Sequence, residues 1–307
     1  MLSRLLRRLL TGQLLAGALL GWWLATPTDP FHWLVLLAAL GLPLLSTVML
    51  AISTAVMSRA PGANGWWWRA VVGECWTWLR LGLFTLPWAV SAPKLLQPLA
   101  SQPPRAPQIP VLLVHGYLCN HRVWGLVARR LRQAGHPVLC VDLEPLFISI
   151  DRYAPLIEAA VTELCRQTGA QQVALVGHSM GGLAIRAWMR AAGIHRVARV
   201  ITLGTPHAGT RIAQHHPSPN AQQMGWRSAW LQDLATGESA GARALLRIAL
   251  TPQDNIVYPQ REQRLQGVPV TVFDGLGHLQ LCLDAAVIGW LERQLDGLLE
   301  PGAGVPA

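Results

Sequence analysis

The sequence predicts an α/β chain in which a mostly parallel sheet, covered by helices on both faces, follows an N-terminal hairpin of two membrane-spanning helices. Three observations carry that expectation. From Val111 onward, short β-branched or leucine-rich runs alternate with amphipathic segments, the pattern of crossover helices joining parallel strands. Residues 9–28 and 33–57 contain no Asp, Glu, Lys or Arg. The composition is 51% apolar and 13% charged with a mean hydropathy of +0.31, which excludes intrinsic disorder and departs from that of a water-soluble enzyme. A length of 307 residues suits one large domain with an appendage.

Residues 1–90 form the expected membrane anchor. Arg4, Arg7 and Arg8 precede the first apolar run, as in a signal peptide. The second run, Trp33 to Met57, follows almost at once and has 25 residues, about 37 Å of helix against a hydrocarbon core of about 30 Å. Cleavage after the first run would leave a second anchor, so a helical hairpin turning at Thr26 to Phe31 is the preferred reading. The stretch Trp66 to Val90 carries Arg69, Glu74, Thr77 and Arg80 on one arc and Trp68, Val71, Val72, Cys75, Leu79 and Leu86 on another. This predicts an interfacial helix with the Trp66, Trp67, Trp68 cluster at headgroup level; the competing reading is a helix packed on the following domain. Residues 91–110 hold six prolines and read as a semi-rigid linker.

The expected catalytic domain covers residues 111–300. Its strand candidates are 111–115, 137–142, 172–176, 198–203, 246–250 and 269–273. Helix spacing appears between the first four, as in Leu156, Ile157, Ala160, Val161 and Leu164. The five cysteines, Cys75, Cys119, Cys140, Cys165 and Cys282, form no CxxC pair and suggest neither a zinc site nor a disulfide framework. The net charge of +9 comes from arginines spread along the chain; with no basic block beyond Arg4, Arg7 and Arg8 and no base-reading motif, nucleic acid is excluded as a partner.

One short segment carries the chemistry. After the strand ending at Val176 stand Gly177, His178, Ser179, Met180 and Gly181, then Gly182 and a helical run. This is G-x-S-x-G in the strand, turn, helix context that makes the motif meaningful. The elbow glycines Gly177 and Gly181 are needed because strand and helix backbones approach closely there. Ser179 then projects beyond the sheet at a helix N-terminus, where developing negative charge is favoured. His178 and Met180 are read as shaping the turn without proton chemistry.

A serine needs a base, and the base needs an orienting carboxylate. With a nucleophile on such a turn the order along the chain is serine, acid, histidine. His278, in a glycine-bearing loop after the last strand candidate, fits as base better than His207, His215 or His216. Asp254, just after strand 246–250, is the preferred acid, with Asp274 the runner-up; Asp233 falls within a helical-looking insert, and Asp142 reads as structural. The oxyanion donors are expected from the backbone N–H groups of Met180 and Tyr117. His115, before a tight glycine turn, reads as a loop-fixing hydrogen bonder.

The segments PVLLVHGY, VGHSMGG and LGTPHAGT (Leu203 to Thr210) resemble the α/β-hydrolase superfamily over about residues 110–295, and within it the bacterial triacylglycerol lipases and esterases. NAQQMGWRSAWLQDL resembles the short helical cap of such lipases, here at about 211–240. The resemblance implies Ser179, Asp254 and His278 as triad, carboxylic ester hydrolysis as chemistry, an acyl-ester or lipid substrate and no cofactor. No metal site is assigned, and the structural calcium of some such lipases is not carried over. Acyl transfer, thioester cleavage or a silent membrane scaffold are the competing readings. The expected location is a bacterial inner membrane. The arginines flanking the hairpin place both its ends, and with them the catalytic domain, on the cytoplasmic side.

Overall fold

The computed structural model describes residues 1–25, 33–60, 65–89, 95–99, 108–296 and 298. All six predicted strand runs form strands: β1 (Val111–Val114), β2 (Val138–Val141), β3 (Val173–His178), β4 (Val197–Leu203), β5 (Leu246–Leu250) and β6 (Val270–Val272). They lie in the order β2-β1-β3-β4-β5-β6, and every ladder between them is parallel. Parallel pairing requires crossovers, and the helices that supply them cover both faces. Leu112, Leu175, Ile157 and Leu183 belong to the core on one face, and Leu113, Val176, Val127 and Leu291 to the core on the other.

The first face is covered by the helices Ala154–Thr168 and Met180–Ala192, the second by Gly125–Gln133 and Ala285–Leu295. The cap segment consists of a short turn at Arg211–Ala213 and the helices Pro219–Gln223 and Ala229–Thr236, followed by Ala240–Ala244. At the free edge of β2, Leu96 exchanges hydrogen bonds with Val138 at 2.8 and 3.0 Å. The proline-rich stretch therefore covers, at that point, an edge that would otherwise offer unpaired backbone groups; the remainder of the linker, residues 91–94 and 100–107, lies outside the described residues.

Three helices precede this domain: α1 (Leu2–Leu24), α2 (Trp33–Met57) and α3 (Trp66–Phe84). Helices α1 and α2 run antiparallel, with Gly17 against the Ala38 backbone, Gly21 against Leu34 and Gln13 Nε2 donating to Ser46 Oγ at 3.1 Å. Gly17 and Gly21 are four residues apart, and a Cβ on either would lie 2.5 Å or less from a carbonyl oxygen of α2; such small residues let two apolar helices touch along their backbones. The predicted turn at Thr26 to Phe31 falls outside the described residues. Helix α2 is the described helix long and apolar enough to cross a membrane, with a mean hydropathy of 2.4 over its most apolar window.

The open ends of these helices dock on the α/β domain and on each other. The Met1 ammonium and the Leu2 amide are held by Glu144 Oε1, and Ser3 Oγ donates to Leu86 O at 3.0 Å. Thr54 Oγ1 accepts from Asn255 Nδ2 at 3.0 Å, and Ser58 O accepts from Gln260 Nε2 at 3.0 Å.

Helix α3 departs from the expected orientation. Its buried residues are Trp67, Ala70, Val71, Glu74, Thr77 and Leu81, whereas Trp68, Val72 and Trp76 are exposed. Of the expected apolar face, Trp68 and Val72 point outward while Val71 and Leu86 are buried, so that face does not act as one. The reason is the loop at Gly277 to Gln280, which offers amide donors that only the polar arc can satisfy.

Candidate active site

The nucleophile elbow forms because β3 ends two residues later than its apolar run and passes directly into the helix Met180–Ala192. Ser179 sits between them at φ 55° and ψ −128°, a backbone region that a residue with a Cβ occupies only under strain. The strain is maintained by crowding on every side. A Cβ on Gly181 would lie 2.2 Å from Val114 O, and one on Gly177 would lie 2.5 Å from Gly182 N. The Ser179 amide is fixed by Leu203 O at 2.9 Å. Where a Cβ on Gly116 would stand, Ser179 Cβ is 2.7 Å away, so the loop after β1 closes over the serine with only glycine able to pass.

Two of the other expected residues are paired with each other. His278 Nδ1 donates to Asp254 Oδ2 at 2.9 Å, while Asp254 Oδ1 accepts the amides of Ile256 at 2.9 Å and Val257 at 2.7 Å. A Cβ on Gly204, the residue after Leu203, would be 3.2 Å from both Asp254 Oδ2 and His278 Nδ1, so the Asp–His pair lies next to the strand end that holds the Ser179 amide. Ser179, Asp254 and His278 are 6%, 2% and 4% exposed. Burial disfavours the imidazolium of His278, but the nearby Asp254 carboxylate, its hydrogen bond and Glu74 outweigh it and raise the pKa. That hydrogen bond also fixes the tautomer, leaving Nε2 as the free basic nitrogen.

Met180 is the first residue of its helix, and Tyr117 is half-buried in the loop after Gly116. Both line a small cavity of about 10 Å³, with Gly116, Leu143, Phe147 and Asn220 among its other walls, room for roughly one water. His115 does fix its loop, with Nδ1 against Gly116 O at 2.8 Å and Nε2 accepting from the Leu143 amide at 2.9 Å. Asp142 accepts from the His121 amide and ring. His207 is buried in a structural network with Thr202 and Arg186. Asp233, Asp274, His215 and His216 are exposed.

Three contributors to the site escaped the sequence reading. His178 donates from Nε2 to the His278 carbonyl at 3.1 Å, with the two rings 4.5 Å apart, and burial keeps it neutral by pushing its pKa well down. Asn255 Oδ1 accepts the His278 amide at 3.0 Å while its amide group donates to Thr54 of α2. Glu74 Oε1 accepts the Leu279 amide at 2.9 Å and Oε2 the Gln280 amide at 3.2 Å. The adjacency of Asn255 to Asp254 was the one local signal; the other two depend on contacts across 100 residues or more.

Comparison with known proteins agrees with this architecture. Residues 109–236 match the family described as alpha/beta hydrolase fold. A triacylglycerol lipase of Pseudarthrobacter phenanthrenivorans is 36% identical over 118 residues, covering 35% of this chain and 36% of that one. A triacylglycerol lipase of Burkholderia plantarii is also 36% identical over 118 residues, covering 35% of this chain and 32% of the relative. The match thus spans about a third of the length of these relatives. Among solved structures, the mature lipase BlEst2 of Bacillus licheniformis aligns with a TM-score of 0.55 at 18% identity, covering 64% of this chain and 95% of that one. The chain has the α/β-hydrolase fold and resembles bacterial lipases and esterases of that fold.

Proposed function

We propose that the protein is a membrane-anchored serine esterase or lipase that hydrolyses carboxylic esters, with lipid acyl esters as its substrates. The observation that carries the reading is the buried Asp254–His278 hydrogen bond of 2.9 Å beside a serine held at φ 55°. In the proposed reaction, His278 Nε2 takes the Ser179 proton as Oγ attacks the ester carbonyl, and the same nitrogen returns it to the leaving alkoxide. Asp254 holds the imidazole in the tautomer that leaves Nε2 basic and stabilises the imidazolium. The Met180 and Tyr117 amides donate to the developing oxyanion, each worth about 10² to 10³ in rate. Water then repeats the sequence on the acyl-enzyme, regenerating Ser179 and releasing the acid.

Membrane anchoring is supported by the way α1 and α2 present their side chains. Leu36, Leu40 and Leu45 of α2 are 62%, 52% and 59% exposed, and Trp22 and Trp23 of α1 are 69% and 75% exposed, an area of apolar surface far beyond what a water-soluble monomer displays. The outward Trp68, Val72 and Trp76 of α3 extend it. Because α1 begins and α2 ends at the catalytic loops, a spanning hairpin returns both ends to one side, and Arg4, Arg7, Arg8, Arg59 and Arg69 make that side cytoplasmic. The site then lies at the membrane face of its domain, where the local concentration of lipid ester is high. The test is hydrolysis of p-nitrophenyl butyrate by the full chain in detergent. Ser179→Ala is expected to reduce turnover by about 10⁴-fold or more; turnover within tenfold of the parent would overturn the assignment.

A further inference from the structure

Glu74 is buried to 1% exposure on a helix whose Trp68, Val72 and Trp76 face outward. Burying a carboxylate is costly even when its oxygens are hydrogen-bonded, and burial raises the pKa of the Glu74 carboxyl to about 7 against the opposing pull of the Leu279 amide, His278, Trp78 and the Gln280 amide. Oε1 accepts from the Leu279 amide at 2.9 Å and from Trp78 Nε1 at 3.0 Å, and Oε2 from the Gln280 amide at 3.2 Å. Leu279 and Gln280 open the short 3₁₀ turn Leu279–Cys282 that follows His278 directly, so these amides are the unpaired donors at its start. The fit is close on both sides: a Cβ on Gly277 would lie 2.5 Å from Glu74 Oε2, and one on Gly73 would lie 2.1 Å from Gln280 Nε2. The matched family region begins at residue 109, so α3 is an addition to it.

We propose that Glu74 is a positioning residue, through which helix α3 holds the His278 loop in its productive place by accepting its amides and, in its ionised form, sets a second negative charge behind the imidazolium formed during the reaction. The inference rests on the reading of Ser179, His278 and Asp254 as the catalytic set. The groups facing Glu74 are His278 and Cys282 from the loop and Cys75 on its own helix; His278 itself faces Asp254 and, at 4.5 Å between ring centres, the buried neutral His178, and Arg69 lies further along α3 against Gly275. Of these, only His278 becomes cationic during turnover.

The test compares Glu74→Ala, Glu74→Gln and Glu74→Asp with the parent, as full chains in detergent on p-nitrophenyl butyrate. Glu74→Ala is expected to lower kcat about 10- to 100-fold with KM within about twofold. Glu74 carries its charge only above about pH 7, and losing that charge lowers the His278 pKa, so the acid limb of kcat/KM moves to lower pH in both Ala and Gln variants; a merely structural role would leave the limb in place. Glu74→Asp, which keeps the charge, is expected to keep the limb and recover part of kcat. Gly277→Ala should also lower kcat, because its Cβ would lie 2.5 Å from Glu74 Oε2 and 2.7 Å from Glu74 Cβ and would force the loop off α3. If Glu74→Ala does not fold, Glu74→Gln keeps the volume and its limb decides. Parent-like kcat and an unmoved limb in Glu74→Gln, while Ser179→Ala is inactive, overturn the positioning role alone; an active Ser179→Ala brings down the catalytic reading beneath it.

Discussion

β1 and α2 are both uninterrupted apolar runs, and they bury opposite things. All four residues of β1, Val111 to Val114, are fully buried. In α2 the buried positions are Pro43, Ala51, Thr54 and Ala55, while most of its leucines, Leu36, Leu40 and Leu45 among them, point outward. A strand between two helical layers spends its side chains on a core. A helix that displays most of its leucines is what the proposed membrane anchoring requires. Helix α3 applies the same inversion to a charge, with Glu74 inside and Trp76 outside. The two regions meet at the loops that carry Asp254 and His278: Thr54 reaches Asn255, and Glu74 reaches Leu279.

The largest effect is expected where the sheet crowds the elbow. Gly181→Val would drive a side chain into backbone that cannot yield, since Val114 O and His115 O lie 2.2 and 2.5 Å from its Cβ. Esterase activity should fall by at least about 10³-fold and stability by about 3 kcal/mol, as read by turnover and thermal unfolding. Near-parent activity would mean that the elbow geometry is not required.

A matched pair then separates the two regions. Leu113→Ala removes a leucine buried to 0% exposure and should cost about 2–5 kcal/mol in the unfolding of the catalytic domain. Leu45→Arg, at a site 59% exposed in the middle of α2, would be almost neutral in water. In a bilayer it costs about 2.5–3.5 kcal/mol and should shift the chain from the membrane fraction toward aggregated or degraded material. Unchanged membrane recovery would remove the contrast.

The smallest effect is one of pH. His278 must be neutral to accept a proton, and its pKa is raised above the ordinary value. The acid limb of kcat/KM is therefore expected above pH 6.5 or so, with activity lost as pH falls through it. A limb below that value would show that burial outweighs the carboxylates.

How legible this was in the sequence varied with the range of the interaction. The strands were legible because central parallel strands are apolar on both faces and need no periodicity to be seen. The turn at Ser179 was legible because the elbow packs its requirements into five residues, and the Asp254–His278 hydrogen bond because chain order leaves few alternatives. The orientation of α3 was not. A helical-wheel argument assumes that polar arcs face water, whereas the partner of Glu74 is a loop about 200 residues later in the chain, whose unpaired amides no local pattern announces. His178 was assigned a passive role for a sound local reason, and only the fold brings its ring nitrogen to the His278 carbonyl.

The most direct measurement is intact-mass and peptide analysis of the full chain after treatment with a fluorophosphonate. One phosphonyl group is predicted, on the peptide containing Ser179, with Ser179→Ala unlabelled and His278→Ala labelled far more slowly. An adduct on a different residue, or labelling that persists in Ser179→Ala, would contradict the account.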